Sequence, residues 1–184
     1  MSDKAFGFKI VVVGDAAVGK TSLIKRYTTN TFQKNYISTL GMQFSRYEEF
    51  VNEEMVELFL WDLAGQESFN TLRDRFYKGS SGAIIVFSLA PDEIETYHHI
   101  DKWRTHIKDG CGSIPIVLLG NKADLVDQDA IATSPNYETS DVYVNKLAQD
   151  HNIMKYFRTS ALTGQGVKEA FQTLVFKLYQ RATI

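Results

Sequence analysis

A single cysteine, Cys111, stands among 184 residues, so no intrachain disulfide framework is possible. The thiol is expected to sit in a loop or the core without a role, in a protein working in a reducing cytosol. No apolar run approaches the roughly 18 residues that a membrane helix needs. Met1–Phe8 has neither an apolar leader core nor a glycine at position two, which argues against a secretory signal and against myristoylation. Gln180–Ile184 offers no cysteine to prenylate. A basic excess is missing too. Lys and Arg number 20 against 22 Asp and Glu, for a net charge of −2, so the footprint of a nucleic-acid surface is absent. Lys4, Lys9, Lys25 and Arg26 form no dense run for anionic lipid. His98, His99 and His106 lack an evident partner ligand and read as a solvated helix face rather than a metal site.

What is present is an alternation of β-rich runs and helical patterns, with no repeat or low-complexity tract. Phe8–Val13 is a continuous apolar strand closed by Gly14. Lys20–Tyr27 reads as a helix. Glu48–Phe50 and Glu54–Trp61 flank Asn52 as a hairpin. Ala83–Leu89 and Ile114–Leu119 are Ile- and Val-rich runs of the kind buried parallel strands show, and Ile153–Phe157 is a shorter candidate. Pro91, Asp92 and Glu93 suit a helix start, with Tyr97, Ile100, Trp103 and Ile107 as its apolar face. Val167, Ala170, Phe171, Leu174, Val175 and Leu178 follow helical spacing and predict a final helix lying on a core. Leu125–Ser140 is expected to be a surface loop. The alternation implies an α/β fold with a mostly parallel sheet, in which ligands sit at the carboxyl ends of strands.

The loops after the strands carry four motifs. Gly14-Asp15-Ala16-Ala17-Val18-Gly19-Lys20-Thr21 fits G-x-x-x-x-G-K-[ST] between a strand and a helix. Such a loop wraps a phosphate chain with backbone N–H groups, assisted by the helix N-terminus. Lys20 is expected on the outer phosphates and the Thr21 hydroxyl on Mg²⁺. Asp62-Leu63-Ala64-Gly65-Gln66 follows a strand end. There Asp62 can reach the Mg²⁺ shell, Gly65 can offer its N–H to a terminal phosphate, and the Gln66 amide suits orienting a water. In Asn121-Lys122-Ala123-Asp124, the Asp124 carboxylate can accept from the N1–H and 2-amino group of guanine, a donor pair that adenine lacks. Thr159-Ser160-Ala161 can present backbone to the guanine carbonyl oxygen.

Taken in this order, GDAAVGKT, WDLAGQE, NKAD and TSA resemble the motifs of Ras-like small GTPases, over essentially the whole chain from Lys9 to about Arg181. Tyr36–Phe44, Trp61–Glu67 and Phe76–Gly79 are similar to the switch segments of the Rab branch. The resemblance implies a single P-loop G domain over residues 1–184, with a six-stranded, mostly parallel sheet, one antiparallel edge strand and about five flanking helices. The lipidated tail of that family would be absent from this chain. It implies nucleotide contacts from Ala16, Ala17, Val18, Gly19, Lys20, Thr21, Ser22, Phe32, Thr39, Gly65, Asn121, Lys122, Asp124, Ser160, Ala161 and Leu162. Phe32 would pack against the guanine. Mg²⁺ would be held by Thr21, by Thr39 and, through water, by Asp62. Gln66, Lys20 and Thr39 would carry the hydrolysis, and Phe44, Trp61 and Phe76 would display the nucleotide state to partners.

The expectation is therefore a slow GTP-hydrolysing switch in membrane trafficking. It would work with an exchange factor, a GTPase-activating protein and effectors, but not with nucleic acid. It would be cytoplasmic, touching membranes only through a lipidated tail. Ala16, Leu40, Met42, Gln43, Leu63, Ser68 and Leu162 depart from the usual family residues, and Ala16 with the altered switch flanks motivates an alternative, a nucleotide-dependent binding module with little hydrolysis. A P-loop phosphotransferase is the third reading, opposed by NKAD and by the lack of an arginine-rich lid.

Overall fold

A computed structural model describes residues 6–29, 34–39, 42–63, 75–133 and 137–184. The strands are β1 (Phe6–Val13), β2 (Lys34–Thr39), β3 (Met42–Val51), β4 (Glu54–Leu63), β5 (Gly82–Ser88), β6 (Ile116–Asn121) and β7 (Lys155–Arg158). The α-helices are α1 (Lys20–Thr28), α2 (Glu95–His98), α3 (Ile100–Cys111), α4 (Gln128–Thr133), α5 (Asp141–Asp150) and α6 (Val167–Ala182).

One sheet runs in the order β2-β3-β4-β1-β5-β6-β7. β4, β1, β5, β6 and β7 are mutually parallel, and β3 runs antiparallel to β4. This is the expected mostly parallel six-stranded sheet with one antiparallel strand. A seventh strand, β2, pairs antiparallel to β3, so β3 does not form the edge. The β3–β4 hairpin turns at Asn52 and Glu53, whose φ values of 49° and 68° are the positive pair that a tight type I′ turn requires.

Central β1 explains the unbroken apolar run in the sequence. Ile10, Val11, Val12 and Val13 are all fully buried because helices cover both sheet faces. Side chains alternate between faces. Phe8, Ile10 and Val12 meet Leu23 of α1 and Phe171 and Leu174 of α6. Val11 and Val13 point the other way, to a core containing Ile100, Trp103 and Ile107 of α3 and Val144 of α5. All six apolar positions that predicted the last helix are buried in α6.

Two expectations need correction. Leu125–Ser140 is not all loop, because it contains α4. The Asp127 carboxylate accepts from the backbone N–H groups of Asp129 (3.0 Å) and Ala130 (3.1 Å), and Ile131 is buried, so a cap and one anchor suffice. The helix expected from Pro91 is also broken, into a 3₁₀ turn at Pro91–Glu93, then α2, then α3. Thr96 bears on the first break, between the turn and α2. Its hydroxyl donates to the Glu93 carbonyl (2.8 Å) and accepts from the Ser88 N–H (2.9 Å), competing with the helical ladder. Among the described residues, no helix is long and apolar enough to cross a membrane.

Candidate functional site

Parallel pairing brings the carboxyl ends of β1, β4, β5, β6 and β7 to one edge of the sheet. The loops after β1, β6 and β7, which carry three of the motifs, therefore emerge together there, beside Asp62 near the end of β4; residues 64–66 of the remaining motif lie outside the described residues.

The loop after β1 is backbone built for close approach. Gly14 has φ 143°, and a Cβ there would lie 2.1 Å from the Val86 carbonyl oxygen. Gly19 has φ 99°, and a Cβ there would lie 2.3 Å from Asn121 Nδ2. Gly19 is also the N-cap of α1, and among the described residues no side chain caps that helix. Its first N–H groups therefore remain an anion-seeking end. Ala17 takes a left-handed φ of 64°, a conformation that costs a non-glycine residue about 1 kcal/mol. Val18 is buried, while Ala16, Ala17 and Ser22 are exposed.

Lys20 is buried, and its ammonium donates to the carbonyls of Gly14 (2.9 Å) and Asp15 (2.7 Å). Burial pushes its pKa down, partly offset by the charges of Asp62 and Asp15. Asp62 is buried at the end of β4, opposite Val12 of β1, and accepts a hydrogen bond from the Thr21 hydroxyl. Burial pushes the Asp62 carboxyl up, against the pull of Thr21 and Lys20. A hydroxyl and a desolvated carboxylate converging beside the glycine-bounded loop after β1 are hard oxygen donors that fit Mg²⁺. A cation there would relieve the cost of burying Asp62.

Asn121 is buried and holds three loops together. Its amide donates to the Val18 carbonyl (2.8 Å), and its carbonyl oxygen accepts from the Ala161 N–H (3.1 Å) and, more distantly, the Thr159 hydroxyl (3.4 Å). Lys122 has a left-handed backbone, φ 64° and ψ 35°, and pairs with Glu93. Asp124 is exposed and accepts from the hydroxyl of buried Ser160. Ser160 also receives the Thr163 N–H (3.1 Å) on its hydroxyl, which closes the turn after β7. Leu162 is 73% exposed.

The structure thus gathers Lys20, Thr21 and Asp62 at one end, and Asn121, Lys122, Asp124, Ser160 and Ala161 at the other. Thr39 is the last residue of β2, opposite Met42. Phe32, Gly65 and Gln66 lie outside the described residues. Phe44 and Trp61 face each other across β3 and β4, with ring centroids 5.6 Å apart, and Phe76 stands 6.1 Å beyond Trp61. All three are half-buried, and the Lys9 ammonium lies 4.2 Å from the Trp61 ring centroid.

Sequence reasoning missed the residues that support these loops. The Asp15 carboxylate is held by Trp103 Nε1 (2.8 Å) and His99 Nδ1 (2.5 Å), so His99 is no idle surface histidine. Arg26 donates to the carbonyls of Ala161 (2.8 Å) and Leu162. These partners lie far away in sequence, and the one available signal was a charge beside an apolar helix face.

Residues 9–180 match the model of the Ras family. The chain is similar to the Ras-related protein Rab-11B of Dictyostelium discoideum. Identity is 34% over 172 residues, covering 93% of this chain and 73% of that protein.

Proposed function

The chain belongs to the Ras family of small GTPases, and we propose that it is a guanine-nucleotide switch of the Rab kind. It turns over slowly unaided and signals its nucleotide through the segments around Thr39 and Gly65. The observation that carries this reading is the convergence of Lys20, Thr21 and Asp62 beside the uncapped start of α1. The phosphate chain of GTP lies in the loop Ala16–Ser22, with Lys20 on its outer phosphates. Thr21, Thr39 and, through water, Asp62 would hold Mg²⁺, which would neutralise charge on the β- and γ-phosphates.

At the other end Asp124 takes the donor edge of guanine. Its carboxylate is exposed without the base, so the desolvation that makes it reject adenine comes from the base itself. Lys122, Ser160, Ala161 and Leu162 line this end and Phe32 closes it. Asn121 acts as the tie between the base and phosphate loops. Gln66 orients the attacking water, while Lys20 and loop N–H groups stabilise the charge on the transferring group. Unaided turnover is on the order of 10⁻⁴ to 10⁻² per second, and an activating protein raises it by about 10³ to 10⁵. The Phe44–Trp61–Phe76 cluster reads out the state to effectors, in membrane trafficking as for Rab-like proteins.

Denaturing the purified protein is expected to release GDP or GTP, measured by ion-exchange chromatography; ATP or ADP would overturn the reading of Asp124. In single-turnover assays Gln66→Leu is expected to slow phosphate release at least about tenfold. An unchanged rate would remove the role given to Gln66.

A further inference from the structure

Beyond the four motifs, one charged side chain reaches into the base-recognition segment from outside it. Both Glu93 carboxylate oxygens lie 2.7 Å from the Lys122 ammonium. The pair is mostly shielded, with side-chain exposures of 29% for Glu93 and 25% for Lys122. The Lys122 hydrogen bond holds the Glu93 carboxyl below the usual carboxylate range.

Glu93 is itself firmly placed. It closes the 3₁₀ turn Pro91–Glu93, its N–H bonds the Ala90 carbonyl (3.0 Å), and its carbonyl accepts from the Thr96 hydroxyl (2.8 Å). That turn leaves β5 directly beside β6, where Ser88 pairs with Asn121 and the Leu89 N–H bonds the Asn121 carbonyl (2.8 Å). The turn and the base segment therefore share one anchored frame. Lys122 is the opposite case, a flexible four-carbon stem on a left-handed backbone residue. Left to itself, it would sample many rotamers and would lose that freedom whenever a ligand ordered it.

We propose that Glu93 is a positioning residue for nucleotide retention, fixing Lys122 so that the Asn121–Asp124 segment is set before the base arrives. This rests on reading that segment as the guanine site. Preorganisation of this kind acts on residence time rather than on the chemistry at the γ-phosphate.

The test is dissociation of a fluorescent N-methylanthraniloyl-GDP from the Mg²⁺-loaded chain, chased with excess GDP. The proteins compared are wild type, Glu93→Gln, Lys122→Met and the double variant. Each single variant is expected to release nucleotide about tenfold faster, the scale of one charge-assisted pair. The double variant is expected to match Lys122→Met alone, because Glu93 acts only through Lys122. The same ratios are expected after EDTA, since the pair lies away from Thr21 and Asp62. A general loosening of the turn would instead multiply the two single effects, and that result overturns the proposal. Wild-type release from Glu93→Gln beside fast release from Lys122→Met also overturns it. Wild-type release from Lys122→Met removes the base-site reading, and this proposal with it.

Discussion

Arg26 illustrates how a residue with no motif can govern one that has. It stands in the last turn of α1, the helix that starts with Lys20, and spends its guanidinium on the carbonyls of Ala161 and Leu162. Those carbonyls belong to the turn after β7 that we assign to the base. Arg26 thus joins the phosphate helix to the base loop on the outer side, as Asn121 does on the buried side. The two-carbonyl contact uses the fixed fork of a guanidinium, which an ammonium cannot reproduce. Arg26→Ala is expected to speed GDP release about three- to tenfold, and Arg26→Lys to recover little of it. Stopped-flow release measurements decide this, and full recovery by lysine would mean that charge alone matters. Ala17 carries the opposite lesson. The motif admits any residue there, yet the loop demands a left-handed backbone, so part of its cost is invisible in the spacing.

Elements were legible where burial imposed a period. β1 is apolar throughout because helices cover both faces, and α6 shows its six buried positions at helical spacing. Such signals need length. α4 has six residues and one buried apolar anchor, Ile131, so its cap at Asp127 was the only local cue and the segment read as loop. β2 is mostly polar in sequence and occupies the sheet edge, so no apolar alternation marks it as a strand. The break before α2 was hidden because Thr96 acts through its hydroxyl rather than through hydropathy. The candidate site divides in the same way. Motif residues were legible because their spacing encodes a backbone shape. Glu93, Arg26 and Trp103 were not, since their partners stand 29, 135 and 88 residues away. Only the fold brings them together.

At the scale of the molecule, the loops we assign to the nucleotide are edges of a packed body, and their geometry depends on what lies behind them. α1 carries Lys20 and Thr21 at its start, and behind them Leu23, Ile24, Tyr27 and Thr28 are buried. Its Tyr27 ring stacks on Phe171 of α6, with centroids 4.3 Å apart and planes 20° from parallel. Phe171 is fully buried among the residues that join α1, α6 and the sheet. Removing its ring leaves a cavity that neither helix can close without shifting, so Phe171→Ala is expected to cost about 3–5 kcal/mol. Against a total stability of about 5–15 kcal/mol this is a large fraction. Because bound nucleotide stabilises the folded state by mass action, the comparison belongs at one fixed excess of GDP and Mg²⁺. Urea unfolding followed by circular dichroism should show a lower midpoint with an unchanged slope. GDP release should also quicken, because α1 loses the backing that aims its first turn. A loss below about 1 kcal/mol would mean that α6 does not bear on α1 as described. A stability loss with wild-type release would mean that the first turn of α1 is held by the sheet alone.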